Sequence, residues 1–313
     1  MDKIKRKGKQ DKSEKWFILS FMIVPVVSFL LFYVYVNIDS FIMAFQKPEG
    51  GKLVFAGLEN FEWVFDKVKN GSSYPVDDLQ RAFLNTFLTF GIQMLMFVVG
   101  MLVSYFIYKK IAGYQAFRII FYLPTILSAI VTSYFFNGLM NAEFVWDFVG
   151  TITQYEYPIT TSLLNEYDFA NKMVLLNFIW LSFPANIILW GGTFARIPES
   201  VLESAKLDGV SWVRELVQII LPMVWPTLVL LLTTNLAGIF SASGNVFLLT
   251  KGENGTQTVS NWMYQKVQQA SNPYKSDHLY RVSAMGLTLT VISCAIAIFV
   301  RKVLNSRVEE VQF

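Results

Sequence analysis

The sequence has few charged residues and almost no cysteine or histidine. Only 16% of its 313 residues are Asp, Glu, Lys or Arg, whereas soluble domains carry about 25%. Cys294 is the one cysteine and His278 the one histidine. A disulfide framework and a zinc site both need more of these residues, so both are excluded. We interpret Cys294 as a buried apolar residue and expect no metal site.

Charge is absent from six long stretches of a chain that is 54% hydrophobic. These stretches are Trp16–Ile38, Ala82–Tyr108, Ile119–Ala142, Met173–Ala195, Leu216–Thr250 and Val282–Val300. A helix needs about 20 predominantly apolar residues to cross a bilayer. We therefore predict an all-α polytopic membrane protein with six transmembrane helices. The competing interpretation, a large soluble domain, would need six buried helices longer than the usual 10–14 or so residues.

The predicted organisation follows from these stretches. A basic tail occupies residues 1–15, a transmembrane domain occupies residues 16–305, and a second tail occupies residues 306–313. The spans are expected at about residues 16–38, 82–108, 117–140, 172–195, 223–247 and 282–302, with a loop at 196–222 between the fourth and the fifth. The first stretch is too long for the apolar core of a signal peptide and lacks a small-residue cleavage site, so it is predicted to be an uncleaved span.

Lysine and arginine predict the orientation. Basic residues crowd the N-terminal tail, the connection between the second and third spans, and the segment after the sixth span: Lys3, Lys5, Arg6, Lys7, Lys9, Lys12, Lys15, Lys109, Lys110, Arg118, Arg301, Lys302 and Arg307. The third connection, Glu143–Asn171, holds Glu143, Asp147, Glu156, Glu166 and Asp168 and no basic residue. Because cytoplasmic loops carry the excess of basic residues, we predict that both termini and the 196–222 loop are cytoplasmic. The basic tail also suits contact with anionic lipid.

The loop contains a motif with fixed spacing. Glu203-Ser204-Ala205 is followed by Gly209, and after nine further residues by Ile219, Leu221 and Pro222. This pattern resembles the cytoplasmic EAA loop of permease subunits of bacterial ATP-binding-cassette importers, E-A-A-x-x-x-G, nine residues, I-x-L-P. Ser204 is the one departure, a small residue in place of Ala. The resemblance covers most of the chain and implies the type I importer permease fold.

The same loop can be interpreted from its residues. Pro198 suits the first turn of a helix, after which Val201, Leu202 and Ala205 fall on one face, and Gly209 supplies a bend. The resemblance implies that this helix is a coupling helix, which seats on a cytoplasmic ATPase. It assigns the ATPase-coupling role to Glu203, Ser204, Ala205, Asp208, Gly209, Ile219, Leu221 and Pro222. The alternative is an interfacial amphipathic helix without a partner.

The energy source lies outside this chain if the resemblance holds. The phosphate-binding sequence G-x-x-x-x-G-K-[ST] does not occur, so we expect no catalytic residue and no cofactor here. The resemblance implies that ATP and Mg bind to two partner ATPase subunits. It also implies a second homologous permease, an extracellular or periplasmic solute-binding protein, and a bacterial plasma membrane. Nothing in the sequence indicates nucleic acid as a partner.

A second, weaker motif follows the first span. Phe55-Ala56-Gly57-Leu58-Glu59-Asn60-Phe61 resembles the F-x-G-L-x-N-[FY] segment of sugar-type permeases. An interfacial helix with Phe61, Val64, Phe65 and Val68 on one face is compatible with it.

The span centres hold uncharged polar residues and no titratable relay, which argues against a proton-coupled carrier. Such polar groups beside aromatic faces suit a neutral, hydroxyl-rich solute, although each could instead join helices together. In maltose-type permeases, which the chain resembles, solute contacts come from three regions. They map onto these candidates for the solute pathway: Thr125, Ser128, Asn177, Trp180, Ser182, Phe240, Ser241, Ser243 and Asn245. The Leu216–Thr250 stretch exceeds one crossing, so we expect an unwound outer end near Gly244 that lines a cavity.

The sequence thus predicts a permease subunit of an ATP-driven, binding-protein-dependent importer of a sugar or oligosaccharide. Two alternatives stay open. One is an importer of another solute, such as a polyol, glycerol phosphate or peptide, although the spans show no cationic pocket for a phosphate. The other is a channel or secondary carrier that works alone.

Overall fold

The computed structural model describes residues 2–70, 79–141, 143–153, 162–270 and 277–306. Its helices are α1 (Asp2–Phe29), α2 (Val36–Met43), α3 (Glu59–Asn70), α4 (Leu79–Tyr108), α5 (Tyr114–Ile126), α6 (Ala129–Met140), α7 (Glu143–Thr153), α8 (Tyr167–Phe194), α9 (Glu199–Leu207), α10 (Trp212–Glu215), α11 (Leu221–Ala237), α12 (Val246–Leu249), α13 (Val259–Gln269) and α14 (Asp277–Asn305). Wider π-helical turns at Leu30–Tyr35 and Leu216–Ile220 join α1 to α2 and α10 to α11. The predicted residue Glu156 and nearly all of the 306–313 tail lie outside the described residues.

The long apolar helices confirm a helical, multi-pass membrane fold. Within the described residues, five helical segments are long and apolar enough to cross a membrane: Glu14–Met43, Leu79–Tyr108, Tyr167–Phe194, Trp212–Ala237 and Asp277–Asn305. The helices α5 and α6 pass the same test as a pair bent by 102° and complete a set of six. The third span is therefore broken rather than straight. At the break Leu127 is extended and the Ser128 side chain caps α6 by accepting a hydrogen bond from the Val131 amide at 3.3 Å.

One compact unit comprises Met1–Phe65 and Gln269–Thr288. The helical segment Glu14–Met43 has none of its most apolar stretch buried, as a lipid-facing or partner-facing helix would. After it comes a two-stranded antiparallel hairpin, β1 (Gln46–Glu49) and β2 (Lys52–Phe55). An all-α prediction omits this hairpin, which turns at Gly50 and Gly51, both at positive φ.

The Phe55–Phe61 motif after the first span has a structural role in this unit. Buried Asn60 donates hydrogen bonds to the carbonyls of Ala44 and Gln46, at 2.9 and 2.8 Å. This amide therefore fastens the start of α3 to the chain that leaves α2. The helix predicted over Phe61–Val68 is present as part of α3.

The second unit comprises Asp66–Gln268 and Leu289–Phe313 and is built on the packing of α4 against α8. A side chain on Gly100 would place its Cβ 2.6 Å from the Cβ of Asn186, so glycine sets how closely the helices approach. Ser104 donates to the Ile187 carbonyl at 2.7 Å, and the indole of buried Trp190 donates to the Phe97 carbonyl at 3.0 Å.

Several polar residues of the spans join structural elements. Buried Asn85 donates to the carbonyls of Gly255 and Gln257, both at 2.8 Å, and so holds the loop before α13 against α4. Gln93 of α4 donates to Asn235 of α11 at 2.6 Å. These residues therefore join helices and loops to one another, which is the alternative role given above for polar residues in the spans.

Candidate functional site

The helix α9 presents a polar face to the surroundings and an apolar face to the protein. Ala205 is 3% exposed and Val201 and Leu202 pack against a buried cluster, as predicted from their spacing. Glu203 and Ser204 are exposed, and Leu207 at the end of the helix is 89% exposed. The outward face of α9 is therefore polar apart from Leu207 at its end.

The bend after α9 is a helix-terminating Schellman motif. The Gly209 amide donates to the Lys206 carbonyl at 3.2 Å, and the Val210 amide donates to the Ala205 carbonyl at 3.1 Å. Gly209 has φ +66°, a left-handed conformation that favours glycine, and open space surrounds the position of its missing Cβ. Asp208 is the exposed C-cap residue. The glycine of the motif is therefore required by backbone conformation and not by crowding.

The second half of the motif lies where the helix returns to the membrane. The stretch Leu216–Ile220 is π-helical, and the Leu221 amide donates to the carbonyl of Leu216, five residues back. Pro222 follows near the start of α11. A proline inside a helix clashes with the carbonyl four residues before it, and a wider turn relieves that clash. Ile219 and Leu221 are partly buried, the latter against the same cluster as α9.

A buried carboxylate ties the end of the loop to α4. Glu215, 2% exposed, accepts hydrogen bonds from the Tyr105 hydroxyl at 2.9 Å and from the Lys109 ammonium at 2.8 Å. The tyrosine hydroxyl also lies 3.3 Å from the Trp212 carbonyl. The charge of Glu215 is thus compensated by a cation and a neutral donor, as a buried carboxylate requires.

The start of the loop is tied to the same end of α4. Tyr108 donates to the Ile197 carbonyl at 3.0 Å, and exposed Lys110 donates to Glu199 at 3.0 Å. That hydrogen bond raises the pKa of Lys110. We call the contacts of Tyr105–Lys110 with both ends of the loop the α4 clamp. The α4 clamp therefore joins the end of α4 to both ends of the loop that carries α9.

A second group of predicted residues meets around α8. Asn177 is fully buried, and its Oδ1 accepts from Asn245 at 3.5 Å, while its Nδ2 has no hydrogen-bond partner within the described chain. A buried amide donor without a partner is costly. Gly244, at φ +54°, lies against Phe178, where a Cβ would come within 3.2 Å of the ring. The unwound chain after α11 therefore meets the middle of α8.

Trp180 lies one turn from Asn177 and forms an aromatic wall. Its ring stacks on Phe136 with centroids 6.4 Å apart and lies 6.2 Å from Phe135. Trp180 is partly exposed. The indole also packs against the buried apolar cluster that contains Phe136 and Met140.

The other pathway candidates are not joined to Asn177 by hydrogen bonds. Thr125 and Ser128 lie at the bend between α5 and α6 and bond locally, as does Ser182 to the Ile179 carbonyl. Phe240 packs edge-on against Phe83 and Phe87 of α4. Ser241 is exposed, and Ser243 is half-buried before Gly244. The helix α11 ends at Ala237, before the predicted boundary of 247, and the chain to Val246 is irregular.

Sequence reasoning missed Tyr105, Lys109 and Glu215 as a group. The available signal was their position, since Lys109 directly follows one charge-free stretch and Glu215 directly precedes another. Opposite charges at the same end of two spans can pair. Gly100 also went unnoticed, because one glycine in an apolar stretch carries no spacing signal.

The chain matches known transport proteins. The family model described as "Binding-protein-dependent transport system inner membrane component" matches residues 96–310. The chain is 26% identical over 208 residues to the maltose/maltodextrin transport system permease protein MalF of Vibrio vulnificus (strain YJ016), covering 64% of this chain and 38% of that protein. It is 26% identical over 248 residues to the arabinooligosaccharides transport system permease protein AraP of Bacillus subtilis (strain 168), covering 77% and 75%. The chain thus spans about two fifths of the length of the maltose/maltodextrin relative.

Solved structures show the same fold. A chain from a bacterial ABC transporter involved in the import of the acidic polysaccharide alginate superposes with a TM-score of 0.72 at 19% identity, covering 97% of this chain and all of that one. A second structure of a bacterial alginate ABC transporter, in complex with an alginate pentasaccharide-bound periplasmic protein, gives a TM-score of 0.70 at 19% identity. The model match over residues 96–310 covers more than half of the chain. The chain is a multi-pass helical membrane protein of the binding-protein-dependent transport system inner membrane component family.

Proposed function

We propose that the chain is the permease subunit of an ATP-driven importer that takes up a sugar or oligosaccharide from a solute-binding protein. The observation that carries the proposal is the α9 loop, a short surface helix with a bare Leu207, fastened at both ends to α4 by the clamp. A partner that pulls or pushes α9 would move α4, and with it α8. This is the mechanical requirement of a coupling helix.

The proposed partners follow from family membership. The α9 face of Glu203, Ser204 and Asp208 would seat on one of two ATPase subunits, which bind ATP and Mg, and a second permease would complete the membrane part. The chain itself would catalyse no reaction and hold no cofactor. A relative of known structure has a periplasmic partner with bound alginate pentasaccharide, which supports a binding protein as the donor of solute.

A carbohydrate is favoured as solute by the residues around Asn177. In a conformation that exposes Asn177, its unpartnered amide would donate to a hydroxyl, and the Trp180 face would stack against a sugar ring. Relatives named for maltose, arabinooligosaccharide and trehalose transport support this class. The positions Thr125, Ser128, Ser182, Phe240, Ser241, Ser243 and Asn245 stay proposed pathway residues.

The mechanism we propose is alternating access. Closure of the ATPases would draw the two α9 helices together, and the clamp would carry this motion into the spans. A cavity for the solute would then open outward beside Asn177. Both termini and the α9 loop are proposed to be cytoplasmic, in a bacterial plasma membrane.

The test begins with the cognate binding protein. Its thermal unfolding is measured with maltodextrins, trehalose, arabinooligosaccharides, glycerol phosphate and a peptide mixture, and the stabilising compound is then supplied to the complex in proteoliposomes. We expect stabilisation by a carbohydrate and uptake that stops without ATP. Stabilisation by glycerol phosphate or peptide alone would show that the solute is not a carbohydrate. Uptake without ATP would show that the complex is not an ATP-driven importer.

A further inference from the structure

A cavity of about 400 Å³ lies where three membrane helices end, away from Asn177. It is formed by the last turn of α4, the last turns of α8 and the first turns of α5. Since α4 and α8 end here and α5 begins, the cavity lies at the level where the spans leave the apolar part of the bilayer. It therefore lies at the depth of the lipid headgroups.

The charged side chains that line the cavity are both positive. Its lining includes Lys110 and Arg118 and no carboxylate. Within the described chain Arg118 has no ion-pair partner, and its guanidinium lies 5.5 Å from the Tyr122 ring centroid. Lys110 is paired with Glu199 at 3.0 Å, and both side chains are more than 60% exposed, so an exposed pair of this kind is held only weakly and can be exchanged for another anion. Arg118 therefore contributes a positive charge with no carboxylate partner within the described chain, and this charge favours an anion.

The Tyr122 hydroxyl and the backbone conformation of Lys110 also shape the cavity. The Tyr122 hydroxyl lies 3.4 Å from where a Cβ on Gly191 would be, so glycine leaves room at that hydroxyl. Lys110 has φ +53°, a left-handed conformation that is uncommon for lysine. This conformation belongs to the turn that ends α4, in which the Lys110 amide donates to the Ile107 carbonyl at 3.1 Å.

The remaining lining is apolar. Ile107, Ile187 and Ile188 form part of the wall, and Gly192 has open space at the position of its missing Cβ. A soluble anion would gain nothing from this wall, whereas an amphiphile would bury part of an acyl chain against it. Basic pockets between membrane helices at the headgroup level are known to suit anionic lipid headgroups.

We propose that this cavity binds one anionic phospholipid, with its phosphate between Arg118, Lys110 and the Tyr122 hydroxyl and an acyl chain along Ile187 and Ile188. The site lies beside Lys110 and Tyr108, which belong to the α4 clamp, so a bound lipid would stiffen the end of α4 that receives the motion of α9. Lipid binding here does not involve the solute, while its effect on α4 rests on the proposed coupling role of α9.

The test counts lipids on the whole transporter complex. The complex is reconstituted in nanodiscs of phosphatidylcholine, with or without phosphatidylglycerol, and the phospholipids retained after release are identified by native mass spectrometry. Arg118→Gln removes a charge from the cavity, and Gly192→Leu fills it without changing charge. Their matched controls are Arg301→Gln, an exposed cation near the end of α14, and Gly91→Leu, a glycine of α4 with open space around it.

We expect wild type and both controls to retain phosphatidylglycerol. Arg118→Gln should lower its occupancy about fivefold, the effect expected of one basic residue at an anionic surface, and Gly192→Leu should lower it similarly. Unchanged occupancy in both variants would overturn the proposal. Displacement of the lipid by soluble glycerol phosphate would show that the site binds a free anion instead. Loss of partner subunits from both variants in phosphatidylcholine alone would show that the cavity is a subunit contact.

Discussion

At the scale of single residues, the α4 clamp depends most on Glu215. Its carboxylate is nearly inaccessible and holds both Tyr105 and Lys109. A buried charge that loses its partner is costly, whereas an exposed pair contributes little. The two acidic residues that bond to the end of α4, Glu215 and Glu199, therefore differ in importance although each pairs with a lysine.

This difference predicts the effect of neutralising each one. Glu215→Gln keeps an acceptor for Tyr105 but leaves Lys109 without its counter-charge, and we expect a loss of about 1–3 kcal/mol of stability, less than the roughly 3–5 kcal/mol typical of fully buried pairs. Lys109 retains partial access to solvent, which limits the loss. Thermal unfolding of the detergent-solubilised complex measures it. Glu199→Gln is the control, and an equal loss in both variants would contradict the clamp.

The second residue-scale prediction concerns the solute. Trp180→Ala and Asn177→Leu should reduce uptake strongly, because a lost stacking face or polar contact costs about 1–3 kcal/mol, a factor of roughly 5–150 in affinity. Subunit stoichiometry and basal ATP hydrolysis in detergent should stay unchanged. Asn85→Leu is the control, since Asn85 fastens the loop before α13 and should reduce stability instead. Dissociation of the permease pair by Trp180→Ala would show that Trp180 is structural.

At the scale of elements, the close approach of α4 and α8 sets the framework on which both candidate sites lie. We expect Gly100→Leu to separate these helices, because its side chain would meet the Cβ and backbone of Asn186. The expected result is poor recovery of folded protein and a lower unfolding temperature, measured by fluorescence-detected size-exclusion chromatography. Gly91→Leu on the same helix has open space and should behave like wild type. Equal behaviour of both variants would disprove the tight contact.

The elements themselves were largely predictable, and their junctions were not. Charge-free stretches revealed the spans because charge is costly in lipid, and Pro198 and Gly209 marked the two ends of α9. The 102° bend between α5 and α6 was missed, since the stretch Ile119–Ala142 is apolar throughout and apolarity alone cannot reveal direction. The β hairpin was missed because two four-residue strands leave almost no period in the sequence.

The candidate sites, too, were predictable only in part. Asn177 and Asn245 were both predicted from regional resemblance, and the structure places them in contact. The clamp was not predicted, because it joins residues 89 to 110 positions apart, and sequence spacing reports only on neighbours along one helix.

At the scale of the whole molecule, topology decides whether the proposed partners can reach their sites. We expect Lys5→Cys, in a Cys294→Ser background, to resist an impermeant maleimide in intact cells, because basic segments stay in the cytoplasm. Glu253→Cys, in the exposed loop before α13, should react. Permeabilised cells, in which both should react, provide the control. Labelling of position 5 alone in intact cells would reverse the orientation and exclude α9 as an ATPase contact.

The central claim is that α9 couples ATP hydrolysis to transport, and ATP-driven uptake by loop variants tests it most directly. Glu203→Arg reverses an exposed charge on the docking face, and Gly209→Pro cannot adopt the positive φ of the bend. In proteoliposomes with the binding protein and its solute, we predict that both variants abolish uptake and release the ATPase subunit during purification, while the chain still inserts in the membrane. Lys302→Glu, a charge reversal near the end of α14, should transport normally. Normal uptake by both α9 variants would contradict the account.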